Sequence, residues 1–242
     1  MLSRDQILEQ YASLLRGVEE KCEGVYNASP EIPCKNKCYE CCQQLFPLTF
    51  VEAFYISEGF KKLDRTARRE LQKTAKKINE KILKLNPFQF ERNGVDRKEA
   101  QNTHAAFARF LQEEKYNCPA LEIGEDFGNC ALYDFRNLDC RVMGCSFDKS
   151  AGEIVGCHRF AKLAHLIPKL LPFNYKYPEK MELDRLLIAE VTNESFSKNI
   201  FYLTTMCEPI LKDYSETDWV KFFTNKITTE QAADESCSVI ID

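Results

Sequence analysis

The sequence predicts a mainly α-helical fold built around a small cysteine-rich core with a short β-hairpin. Three observations predict it. Apolar residues recur at steps of three and four in several long segments, the period of an amphipathic helix. Strand-type alternation is confined to one stretch, at Leu121 and Ile123, where Gly124 and Gly128 bracket a polar turn. Twelve cysteines stand against three histidines in 242 residues, and nine of the twelve fall into two groups separated by helical sequence.

Ser3 and Gln6 have capping-box spacing ahead of Ile7, Tyr11, Leu14, Leu15 and Val18, so a first helix is expected over about 4–21. Residues 23–47 carry Gly24, Pro30, Pro33 and Pro47 and read as loop with at most a short helical turn. Thr49 and Glu52 repeat the capping-box spacing before Val51, Phe54 and Tyr55, and Gly59 is placed to end that helix. Ala67, Leu71, Ala75, Ile78, Ile82 and Leu85 mark a long helix through about residue 84. Its ten Lys/Arg against three Asp/Glu, counted from Lys61 to Lys84, lie off the apolar stripe and read as a solvated face.

Ala100, Thr103, Phe107, Phe110 and Leu111 suggest a helix over about 97–115. A hairpin then leads through Ala131, Leu132 and Tyr133 into Cys140, with Tyr133 expected in the core. After Cys157, helix is expected again from Phe160, Leu163 and Ile167 up to Pro168, and from Leu183, Leu186, Leu187 and Val191. Ser215 and Asp218 are candidate caps for a short helix carrying Trp219, Phe222 and Phe223. From about residue 228 the chain is polar and expected to fray.

With 44% hydrophobic and 29% charged residues the balance is that of a globular chain. One domain is expected over 1–242, with a cysteine-rich core at 34–157 and helical extensions at 1–33 and 160–242. A net charge of −4 gives no general electrostatic case for nucleic acid. Mean hydropathy is −0.40, and no apolar run nears the roughly 20 residues of a membrane span. The first residues lack a basic-then-apolar secretion pattern, so a cytoplasmic location and no membrane partner are expected. In a reducing compartment, cysteines in this number read as metal ligands or redox groups rather than a disulfide framework.

Cys34, Cys38, Cys41 and Cys42 form a C-x3-C-x2-C-C run, and Cys118, Cys130, Cys140, Cys145 and Cys157 follow within forty residues of each other. One short loop can present several sulfurs to one centre at little closure cost. Thiolates select zinc, copper(I) or iron–sulfur clusters over magnesium or calcium, and Lys35 and Lys37 between the cysteines favour the thiolate form. Neighbouring side chains point apart in helix and strand, so Cys41 and Cys42 are expected to serve two sites or bridge two metals. Four cysteines from each group suffice for two four-thiolate centres or one binuclear centre. The first three cysteines share the C-x3-C-x2-C spacing of radical-SAM enzymes, but Glu40 replaces the aromatic residue usual there, and no barrel pattern or SAM-binding glycine stretch accompanies them. Neither a phosphate-binding glycine loop nor a hydrolase triad is legible.

C-P-A-L at Cys118, C-A-L-Y at Cys130, R-N-L-D-C-R from Arg136 to Arg141 and V-G-C at Cys157 join the first run and Leu48-Thr49-x-x-Glu52 in one ordered pattern. Together they resemble the YkgJ-like cysteine-cluster family, described as a zinc- or iron-chelating domain. The resemblance covers about residues 34–157. It departs from the family's pattern in the three residues between the first two cysteines, in Asn137 where the family has proline, and in the additional Cys145. Taken with the spacing, Cys34, Cys38, Cys41, Cys42, Cys118, Cys130, Cys140 and Cys157 are expected to bind metal, an iron–sulfur cluster being favoured over a zinc or iron ion. Cys145 or His158 is the candidate replacement for one of them.

Some family members are flagellin lysine methylases that use S-adenosylmethionine (SAM). A SAM-dependent protein lysine N-methylase is therefore one alternative function, although no SAM-binding signature is found. A structural zinc protein acting as an interaction module is the other. A protein or redox partner is implied in either case. Arg136 and Arg141 flank Cys140 and are suited either to pair with carboxylates or to donate hydrogen bonds to thiolates. His104 and His165 lie on expected helices, and Cys22, Cys207 and Cys237 read as free thiols or small core residues.

Overall fold

Helix α1 (Arg4–Ala28) starts at the expected capping box: the Ser3 amide donates to Gln6 Oε1 at 2.9 Å and the Gln6 amide to Ser3 Oγ at 3.4 Å. It runs beyond the expected end near residue 21 because Cys22 and Val25 continue the buried stripe of Ile7, Tyr11, Leu15 and Val18. The structure, a computed structural model, describes residues 2–34, 38–85, 107, 108, 110, 111, 113, 116–124, 127–160, 162–193 and 202–224. Most of the helix expected over 97–115, with His104, lies outside these residues, as do Lys35, Lys37, Cys237 and the tail from 228.

Helices α2 (Phe50–Lys61) and α3 (Arg65–Leu85) occupy the two expected segments. Gly59 does not end α2. The helix continues to Lys61, and a Cβ at Gly59 would lie 2.1 Å from the Phe135 ring. The glycine is there for close packing, not for a left-handed cap. Asp64 separates the two helices and starts α3, its Oδ1 accepting from the Thr66 and Ala67 amides at 2.8 and 3.0 Å. Leu71, Ala75 and Ile82 of α3 are buried, while Arg65, Arg69, Lys73, Lys76, Lys77, Lys81 and Lys84 are exposed, the solvated face read from the sequence.

Strands β1 (Leu121–Ile123) and β2 (Gly128–Cys130) form the expected antiparallel hairpin, Leu121 opposite Cys130 and Ile123 opposite Gly128. Helix α4 (Leu138–Val142) was not expected; Asn137 caps it, its side chain accepting from the Cys140 amide at 3.2 Å. A second sheet was not expected either. Strand β3 (Ser146–Asp148) pairs antiparallel with β4 (Glu153–Val155) and parallel with β5 (Leu171–Pro172), in the order β4-β3-β5. Its signal was the turn between Asp148 and Gly152. Asp148 Oδ1 accepts from the Ser150 amide at 2.7 Å, and Gly152 has a φ of 69°.

The helix expected up to Pro168 is instead two 3-10 turns, His158–Phe160 and Ala164–Lys169, the second containing a proline that cannot donate to an α-helical ladder. Helix α5 (Tyr177–Val191) follows, then the short α6 (Cys207–Leu211) and a helical segment over 219–224. Asp218 caps that segment by accepting from the Lys221 amide at 2.9 Å, whereas Ser215 is turned toward Asp213.

The described residues are mostly helical, 59% against 9% strand. Helix α1 packs on α4 and α5, α2 on α5 and α6, and α3 on α6. One continuous core joins Tyr11 and Val18 from the first flank, Phe50 and Leu138 from the centre, and Leu187 and Trp219 from the second flank. Among the described residues no helix is long and apolar enough to cross a membrane.

The expected capping box of α2 does more than start a helix. Glu52 is completely buried, and its carboxylate takes five hydrogen bonds. Oε2 accepts from the Thr49 amide at 2.9 Å, the Thr49 hydroxyl at 3.0 Å and Lys180 Nζ at 3.2 Å; Oε1 accepts from the Leu138 amide at 3.3 Å and the Tyr11 hydroxyl at 3.4 Å. Lys180 is equally buried. Burial pushes its ammonium toward neutrality, and Glu52, Tyr177 and Asp139 more than reverse this, leaving its pKa raised. Removing one partner of such a pair strands the other charge. Lys180→Met is therefore expected to lower unfolding free energy in urea by about 3–5 kcal/mol, and the double variant Glu52→Gln/Lys180→Met to recover part of that loss.

Asp184 shares this site, accepting the Val51 amide at 2.7 Å. Burial pushes its carboxyl up to about 7, against the pull of the Val51 amide and Lys180. The folded pKa then exceeds the unfolded value of roughly 3.9. The linked stability is full below that lower value and is lost as pH rises through about 7. Asp184→Asn keeps an acceptor for Val51 and removes the titration. Urea midpoints measured between about pH 4 and 7 should show a stability slope flatter by up to about 1.4 kcal/mol per pH unit.

Candidate metal centre

The two cysteine groups meet through backbone contacts. Residues Glu40–Cys42 form a 3-10 turn, and the Cys42 carbonyl accepts from the Cys118 amide at 2.8 Å. Beside it the hairpin comes unusually close to Tyr39: a Cβ at Gly128 would lie 2.5 Å from Tyr39 Cβ and Cγ. As a result Cys38, Cys41, Cys42, Cys118, Cys130 and Cys140 line one cleft of about 100 Å³. Tyr133, Arg136 and Asn137 complete its polar side, and Leu45, Leu48, Leu121 and Met206 its apolar wall.

Cys34 and Cys157 are not in the wall of this cleft; Cys34 is an electrostatic neighbour of Cys38 and Cys41 in that wall, and Cys157 of Cys34. Burial pushes the Cys34 thiol up to about 12, and Cys38, Cys41 and Cys157 add to the rise while Arg159 opposes it. Gly144, in the left-handed region with a φ of 81°, makes room for Cys34: an added Cβ would lie 2.3 Å from its sulfur. Arg159 reaches over this group, with Nη2 2.8 Å from Glu40 Oε1 and Nη1 3.9 Å from Cys38 Sγ.

Burial is the first cause of the raised thiol pKa values of Cys118, Cys130 and Cys140, and neighbouring cysteines add to each. Cys41 and Cys42 both line the cleft. Each is the largest influence on the other's thiol: Cys41 raises Cys42, while Cys42 holds Cys41 down to about 7, helped by Arg136. Arg136 also opposes the rise at Cys130 and Cys140.

Of the two roles read for the flanking arginines, pairing with a carboxylate is the one seen among the described residues. Arg136 pairs with Glu19 at 3.1 Å and acts on the thiols by charge, whereas the buried Arg141 pairs with the same Glu19 and with the Arg136 and Asp134 carbonyls. Tyr133 is not a core residue: it is 52% exposed, with the Arg136 guanidinium 3.6 Å over its ring.

Two other residues, His165 and Cys207, stand outside the cleft. His165 is exposed and faces Glu31 at 3.8 Å. The side chain of His158 lies outside the described residues. Cys207 is buried behind Cys118; burial pushes its thiol up to about 12, and it contributes to the raised pKa of Cys118.

Among the described residues no three Cys, His, Asp or Glu side chains converge closely enough to hold one ion. The fit to a metal is therefore one of donor chemistry and placement rather than of closed coordination. Six soft donors share one cleft, and a polar group among them lacks a partner. Asn137 is fully buried in that wall, and its Nδ2 has no hydrogen-bond partner. An amide donor beside thiolates is the kind of neighbour that tunes a sulfur-ligated centre. Sequence reading noted Asn137 only as a departure from a proline; its three-residue spacing to Cys140 is the cap signal that could have found it.

Compared with known proteins, the chain matches no family model, no curated protein and no solved structure. The resemblance to the YkgJ-like family rests on the motifs alone.

Two glycines test how the cleft is held. Gly17, in the interior of α1, has nothing within 4 Å of an added Cβ, so Gly17→Ala should raise stability by roughly 0.5–1 kcal/mol. Gly128→Ala should instead lower it by roughly 1–3 kcal/mol, because Tyr39 must move. Urea unfolding of both variants beside the wild type checks the two opposite signs.

Proposed function

We propose that the protein is a cysteine-thiolate metal-binding protein that holds an iron–sulfur cluster. The observation that carries this reading is the single cleft lined by six cysteines drawn from separate parts of the chain. Cys38, Cys41, Cys42, Cys118, Cys130 and Cys140 are the ligands supplied by that cleft, and Cys34 and Cys157 are the neighbouring pair that extends the set. A bound cluster would supply one-electron chemistry at the cleft, and a redox protein is then the expected partner. Arg136 offsets negative charge on the thiolates, and Asn137 offers an amide hydrogen to sulfur. Both suit a sulfide-bearing centre whose potential depends on nearby charge and hydrogen bonds.

A structural zinc ion is the second reading. It is favoured by the position of Cys38–Cys42 and Cys118 in irregular segments, which a metal would staple together. A SAM-dependent protein lysine methylase is carried by the family resemblance alone, and SAM binding in calorimetry is its test.

Anaerobic purification, a visible spectrum and analysis for iron, zinc and sulfide separate these readings. The expected result is a coloured protein with iron and sulfide, which Cys118→Ala and Cys140→Ala each lose while Cys207→Ala retains them. Stoichiometric zinc without colour would replace the cluster by the structural reading. Absence of every metal, or metal content indifferent to Cys118 and Cys140, would remove the metal-binding function altogether.

A further inference from the structure

Cys22 and Cys145 are buried together away from the cleft, at positions 123 residues apart in the chain. Cys22 lies on the buried face of α1, and Cys145 follows the C-terminal end of α4. Their sulfurs stand 2.6 Å apart, close to the roughly 2.05 Å of a disulfide bond. The backbone on both sides is held in place. The Cys145 amide donates to the Val142 carbonyl at 3.2 Å, and its carbonyl accepts from the Leu171 amide at 3.0 Å. Four residues after Cys22, the Tyr26 hydroxyl donates to the Met143 carbonyl at 3.3 Å. Contacts from two helices and a sheet thus face the two thiols toward each other.

We propose that Cys22 and Cys145 are an oxidative-modification site, a dithiol that closes to an intramolecular disulfide and covalently joins α1 to the segment carrying Cys140. Hydrogen peroxide is the oxidant of suitable size, since a bulky disulfide donor has no route to sulfurs buried this completely. One thiol gives its proton to water and attacks a peroxide oxygen. The S–O bond forms, the O–O bond breaks, and a sulfenic acid and one water result. The second thiol attacks the sulfenic sulfur, the S–S bond forms, the S–O bond breaks, and a second water leaves. In sum two thiols and one peroxide give one disulfide and two waters, and two electrons pass from sulfur to oxygen. The bond closes a long loop, which constrains the unfolded chain more than the folded one.

This inference does not rest on the metal reading, and its test can be read separately. Accessible thiols of the full-length protein are first capped with N-ethylmaleimide under native conditions, and metal content is recorded on the same sample. After hydrogen peroxide and an acid quench, the protein is unfolded, treated with a second alkylating reagent and digested without reduction. The expected result is a Cys22 peptide joined to a Cys145 peptide, lighter than their sum by two hydrogens and separated by reductant. Thermal unfolding should rise by on the order of 10 °C on oxidation, and the rise should vanish in Cys22→Ala. Recovery of both cysteines with the second alkyl group, or of Cys145 joined to Cys34, would overturn the proposal. The wild-type peptide map decides the matter even if the variant does not fold.

Discussion

The buried Glu52 carboxylate is the node on which the rest of the structure depends. It receives donors from α1, from the cap of α2, from the first residue of α4 and from α5. A charge with that many partners tolerates little displacement, because each missing hydrogen bond in a low-dielectric interior costs the full desolvation of the group left behind. Burying a lysine against a carboxylate adds little net stability compared with an apolar core of the same volume. What it adds here is position. Leu138 donates to Glu52, Asn137 caps α4 directly before it, and Cys140 follows two residues later. One side of the cysteine cleft is thereby set by a contact deep in the helical core.

The other side is set by the backbone. The Cys42 carbonyl and the Cys118 amide join the two groups directly, and Gly128 lets Tyr39 lie against the hairpin that ends in Cys130. Neither contact involves a cysteine side chain. The sulfurs are therefore brought to one cleft by interactions that do not need metal. Their buried, mutually repelling thiols are then a patch on which several negative charges cannot be carried by Arg136 alone. A cation at the cleft would remove that penalty, which is why donor placement and electrostatics point the same way.

Local features were legible in the sequence and long-range ones were not. The capping boxes at Ser3 and Thr49, the apolar stripes of α1 and α3 and the β1–β2 hairpin depend on residues a few positions apart, so spacing alone declares them. The Glu52–Lys180 pair spans 128 residues, and no periodicity announces it. The second sheet was missed because its strands are two or three residues long and one of them returns in parallel. Gly59 was misread because a glycine that permits close packing and one that ends a helix look the same in sequence; only the Phe135 ring against it distinguishes them. Tyr133 was placed in the core on its apolar neighbours, but its ring is half exposed and stacks on the Arg136 guanidinium.

The question of one centre or two turns on Cys41. Its charge is felt by Cys34 on one side, and by Cys42, Cys118, Cys130 and Cys140 on the other. The tight turn at Glu40–Cys42 carries both Cys41 and Cys42 into the wall of the cleft. Two independent four-thiolate sites would require the eight sulfurs to divide cleanly, with Cys41 and Cys42 turned apart. Instead each of the pair is the strongest influence on the other's thiol, and both line the one cleft. If the cleft binds metal as proposed, a single connected arrangement with Cys41 as its common member follows more directly from these electrostatic couplings than two separate ones.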